Sequence, residues 1–73
     1  MNEQVYNRLR LGLNIRRWRH GMRLTQAELA AKMGCTQRTI SALEHGQRDI
    51  SVEMLFALCR ALQCPVRELL LGV

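Results

Sequence analysis

The run from Thr25 to His45, TQAELAAKMGCTQRTISALEH, leaves this chain few choices of fold. Thr25 followed three residues later by Glu28 forms a capping box, in which each side chain satisfies an orphan backbone N–H at a helix start. Leu29, Ala30 and Met33 then recur at helical spacing, and Gly34 supplies the positive φ that closes a helix. Two positions on, Thr36 is placed to cap a second helix, with Ile40 and Leu43 three apart on one face. Two short helices joined by a tight turn follow. Small Ala30 falls at their crossing, where a bulkier side chain would push them apart.

That layout is the one by which a second helix is offered to the major groove of DNA, a helix-turn-helix. An ordinary helical hairpin needs only the apolar spacing and a turn glycine. What sets this one apart is the outward side of its second helix: Gln37, Arg38, Thr39, Ser41, Ala42 and His45 are mostly short or hydrogen-bonding, and none is a carboxylate. A solvated structural helix more often carries Glu–Lys pairs there.

Seventy-three residues make one small domain, near the lower limit for a self-sufficient core, so the chain reads as a single unit over 1–73 with its motif at about 25–45. Hydrophobic residues are 48% of the sequence but aromatics only 4%, which leaves Leu, Ile, Val, Met and Ala to build the core. The apolar positions follow a period near 3.6 with no strand-like alternation, and the fold class is all-α. The net charge of +5 is uneven: residues 1–48 hold nine Arg or Lys against three acids, and residues 49–73 hold two against three. One basic half suits a polyanion.

Three cysteines and an N-terminus, MNEQVYNRLR, without a secretory apolar core point to the cytoplasm, where thiols stay reduced. No apolar run approaches bilayer-spanning length. Cys35, Cys59 and Cys64 with His20 and His45 match no metal-ligand spacing, and no metal or cofactor is expected. Cys59 and Cys64 read as small core hydrophobes. There is no Ser–His–Asp set, no carboxylate cluster and no phosphate-cradling loop, so an enzyme is excluded.

A first helix is expected from about Glu3 to Gly21, with Gly12 weakening it by about 1 kcal/mol and leaving the first ten residues as a separate turn or a frayed end. Trp18 reads as a partly buried packing residue and Leu24 as a link to the core. Beyond the second motif helix, Gly46 stops it, and Gln47 and Arg48 stand where DNA phosphates would pass. Ser51 caps a further helix with Glu53 in its first turn and Met54, Leu55, Leu58, Cys59 and Leu62 as a broad apolar stripe. Pro65 suits the first position of a last short helix, about 65–71. Its Leu69, Leu70 and Leu71, with Val66 and Val73, outnumber what so short a segment buries alone. They either fold back on the core or form a two-fold dimer interface, and for Val66, Leu69, Leu70 and Leu71 the dimer is the expectation.

From Leu11 to Leu70 the chain resembles the Cro and lambdoid-phage-repressor helix-turn-helix family, also called the xenobiotic-response-element family. The resemblance is carried by LGLNIRRWRHGMRLTQAELAAKMG, TQRTISALEHG and ISVEMLFALCRALQCP, with Leu24–Thr25–Gln26, Ala30, Gly34, Ile40 and Leu43–Glu44 at the family's pattern positions. It implies a compact five-helix bundle and a sequence-specific, double-stranded DNA-binding transcription regulator. Gln37, Arg38, Ser41 and Ala42 match positions that read base edges, with Gln suited to adenine, Arg to guanine and Ala42 to a thymine methyl. Gln26, at a helix N-terminus, matches a phosphate-binding position. Thr36, Thr39, His45, Gln47 and Arg48 are likewise assigned to phosphates, which position without specifying sequence. Arg19 and Glu44 match a structural ion pair between the first and third helices. The segment before Leu11 lies outside the common pattern, and Cys59 and Cys64 replace the usual Ala and Val. The small size and Leu-rich last helix look most like controller proteins of restriction–modification systems, which are homodimers on palindromic operators that regulate their own operon. Prophage repressors share the architecture, and so do antitoxins, whose chief partner would be another protein.

Overall fold

The computed structural model describes residues 1–73 as five helices: α1 (Glu3–Gly21), α2 (Gln26–Met33), α3 (Gln37–Glu44), α4 (Val52–Leu62) and α5 (Val66–Leu69). Four of the five start on a side chain that accepts from the first helical turn. Asn2 takes the Val5 N–H at 2.8 Å, Thr25 that of Glu28 at 3.0 Å, Thr36 that of Thr39 at 3.2 Å and Ser51 that of Met54 at 3.0 Å. The capping box is complete, since the Thr25 N–H also donates to the Glu28 carboxylate at 2.8 Å. These hydrogen bonds, the backbone one first, hold the Glu28 carboxyl below its ordinary pKa. Gly34 closes α2 in the left-handed region at φ 70°.

Two local expectations shift. Gly12 does not interrupt α1, which runs unbroken from Glu3, so residues 3–10 are neither a frayed end nor a separate turn. Its glycine is a packing requirement: a Cβ there would stand 2.4 Å from the Glu44 carbonyl oxygen and 2.6 Å from that of Leu43. The end of α3 rests directly on the α1 backbone. α1 ends at Gly21 as expected, and the left-handed residue after it is Arg23 at φ 57°. Pro65 is the N-cap of α5, at φ −61° and ψ 143°, rather than its first helical residue.

The core is a single cluster drawn from every helix: Leu11 and Ile15 of α1, Leu29 and Ala30 of α2, Ile40 and Leu43 of α3, Leu58, Cys59 and Leu62 of α4, then Cys64 and Leu69. Trp18 and Leu24 pack against its edge. Leu69 is fully enclosed, with Val66 and Leu70 half-buried on the same cluster. Leu69 is therefore corrected from a dimer contact to a core residue of its own protomer. A four-residue helix with no side-chain cap holds its place because buried Asn14 of α1 donates to the carbonyls of both Leu69 and Leu71, each at 2.8 Å. No helix is long and apolar enough to cross a membrane.

Candidate nucleic-acid interface

The outward side of α3 and the start of α2 form one polar surface. Gln26, Gln37, Arg38, Ser41, Ala42 and Gln47 line an open hollow of about 440 Å³. The four residues assigned to base edges are thus brought together with Gln26 and Gln47. Thr36, Thr39, His45 and Arg48 lie outside the hollow. The Thr36 hydroxyl caps α3 and stands 3.1 Å from that of Thr39. His45 ends α3 with its Nδ1 2.7 Å from the Ser41 carbonyl. A carbonyl only accepts, so Nδ1 carries the proton, and Nε2 has no partner within the protomer.

Under this surface lies a buried ion pair. Arg19 donates from Nε to Glu44 at 2.6 Å and from Nη2 at 3.0 Å, a two-point contact, and from Nη1 to the Leu24 carbonyl at 2.8 Å. The pair is enclosed, with side chains 9% and 2% exposed, and no buried side-chain polar atom lacks a partner. Burial pushes the Glu44 carboxyl up, but hydrogen bonds from Arg19 and Gln26 and the nearby Arg19 and Arg16 charges outweigh it, and its pKa falls below the ordinary value. The pair locks α1 to the end of α3 and, through Leu24, to the turn before α2.

The same carboxylate sets the polarity of the surface above it. A carboxylate accepts only, so Gln26 turns its amide NH₂ to Glu44 at 3.1 Å and its oxygen to the Gln37 amide, which donates at 3.5 Å. Gln37, itself exposed, is left with its own oxygen and one N–H unpaired. That is a donor and an acceptor side by side.

The chain before Leu11 also serves the surface, which no local sequence signal announced. Arg8 of α1 pairs with Asp49 at 2.8 Å, and Leu9 closes on Gly46, where a Cβ would stand 2.9 Å from the Leu9 side chain. Both contacts brace the loop that carries Gln47 and Arg48. No three His, Cys, Asp or Glu side chains gather into a metal-holding group.

Comparison with known proteins shows which family the chain belongs to. The Helix-turn-helix family profile HTH_3, of Cro/C1 type, matches residues 15–69. The chain belongs to the helix-turn-helix family. It is 40% identical over 52 residues to the HTH-type transcriptional regulator y4dJ of Sinorhizobium fredii, covering 71% of this chain and 68% of that one. Its fold superposes on the restriction–modification controller protein C.AhdI of Aeromonas hydrophila with a TM-score of 0.87, at 28% identity over 93% of this chain and 99% of that one. The clp gene regulator ClgR of Corynebacterium glutamicum matches at 0.85 and 33% identity, over 88% and 82% of the two chains. This helix-turn-helix protein is a transcriptional regulator of a DNA-binding family, and that family is not an enzyme class. α2 and α3 both lie within the matched residues.

Proposed function

We propose that this regulator binds a palindromic operator as a homodimer and acts on its own operon, in the manner of a small controller or repressor. The observation that carries the reading is the 440 Å³ hollow on α3, lined by base-edge chemistry and free of carboxylates. Gln37 presents a paired donor and acceptor, the match for adenine N7 and N6. Arg38 offers two donors to guanine, and Ala42 a methyl to thymine. Gln26, Thr36, Thr39, His45, Gln47 and Arg48 surround these residues as phosphate contacts that hold register. Two recognition helices related by a two-fold axis would read half-sites about one DNA turn apart, roughly 34 Å. The likeness to C.AhdI over almost its whole length supports the controller reading.

The test is selection of bound sequences from a random duplex library at about 150 mM salt, since phosphate contacts weaken steeply as salt rises. The expected outcome is an enriched inverted repeat with adenine and guanine at the centre of each half-site. Binding without enrichment would overturn the reading and favour a role whose main partner is another protein.

A further inference from the structure

The outer side of α4 carries an apolar stripe with an acid near one end and a base near the other. Val52 is 64% exposed and Phe56, the only phenylalanine in the chain, is 46% exposed. They lie one helical turn apart, Arg60 follows a turn later, and Glu53 lies beside Val52 in the first turn. Neither charge has a partner within the protomer, whose ion pairs are Arg8–Asp49 and Arg19–Glu44. Ala57, next to Phe56, adds only a methyl and leaves room for a close approach.

We propose that this face of α4 is the contact between two copies of the chain, packed antiparallel about a two-fold axis beside Phe56. The proposal rests on the homodimer reading above and gives that dimer its interface. In a two-fold contact residue i meets j and j meets i. Here the two Phe56 rings meet at the centre, and Glu53 of each copy comes level with Arg60 of the other. The face is its own complement in charge, whereas a parallel pairing would set Glu53 against Glu53 and Arg60 against Arg60. An aromatic anchor inside a charged rim is the ordinary anatomy of such a contact. α4 also opens directly from the 45–51 loop, which follows the recognition helix, so the axis runs beside the reading surface of each copy.

Sedimentation equilibrium of the full chain tests this with F56S, E53R, R60E and the double variant E53R/R60E, each checked for native helicity by circular dichroism. The wild type is expected to self-associate and F56S to do so at least tenfold more weakly. Each single reversal is expected to weaken association, and the double reversal to recover it. A purely structural role predicts the opposite order: an acid at a helix start and a base near its end suit the helix dipole, so the double variant would be the worst. A dimer that survives F56S, or a double variant no better than the singles, overturns the α4 contact. Loss of the dimer in L71S instead would move the interface to the exposed C-terminal residues and overturn it too. F56S still enriching an inverted repeat would overturn the α4 contact alone. A wild type that is monomeric at every concentration and selects no repeat would overturn the homodimer reading with it.

Discussion

Two carbonyl oxygens at the end of α3 lean on the backbone of α1 at Gly12, and this contact sets the distance between the two helices. Alanine there would gain about 1 kcal/mol of helix propensity. It would also press a Cβ to 2.4 Å from the Glu44 carbonyl, which belongs to backbone and has no rotamer to change. Overpacking of that kind costs about 1–3 kcal/mol. G12A is therefore expected to lower stability in denaturant unfolding, although it improves α1 as an isolated helix. The adjoining Glu44 predicts a pH dependence. Its folded-state pKa is depressed from the ordinary 4.5, so its contribution is present above that value and disappears as pH falls through the folded-state value. Thermal melts should lose stability as acidity increases below about pH 4.5. Removing the partner is a harsher change: E44A leaves Arg19 buried and unpaired, at a cost of about 3–5 kcal/mol. Thr25, Thr36 and Ser51 were readable as caps because a cap bonds within its own turn. Gly12 read only as a weak point, because what requires glycine there is the end of another helix.

At the scale of elements, α2 and α3 stood out in the sequence, since their signals are all local: caps, a turn glycine and a three-residue apolar spacing. The reach of α1 and the anchoring of α5 were hidden for the opposite reason. Arg8 and Asp49 are 41 positions apart, and Asn14 and the Leu69 carbonyl 55. No window of sequence contains both partners. Counting leucines does not separate the C-terminal apolar residues either: Leu69 is fully enclosed in the core with Val66 and Leu70 half-buried on it, whereas Leu71 is exposed. On α3 the proposed base-reading assignment predicts a divided response. R38A should relax preference at one base pair of each half-site and cost about 1–3 kcal/mol on the selected operator. Its affinity for random duplex should change far less. Binding titrations on both duplexes check this, and equal losses on the two would place Arg38 on the phosphates.

For the whole molecule, the measurable quantity is how many phosphates the complete assembly neutralises. Charge is concentrated in the half that carries the proposed reading surface, and two of its cations are already committed: Arg19 to Glu44 and Arg8 to Asp49. Arg48 is exposed and has no ion-pair partner, in a loop held by the start of α1. Each phosphate contact adds about 0.9 to the slope of log affinity against log salt on duplex DNA. In a homodimer on a palindrome, R48A removes that contact from both half-sites at once. The slope is expected to fall by about 1.8 for a dimer and by about 0.9 for a single protomer. The loss should be alike on operator and random duplex, because a phosphate carries no base identity. Salt titration of wild type and R48A on the selected site therefore reports stoichiometry and contact type together. A fall near 1.8 supports two copies each holding a phosphate through Arg48. A fall near 0.9 means one protomer at the DNA, and an unchanged slope means that the loop at Arg48 does not touch the backbone.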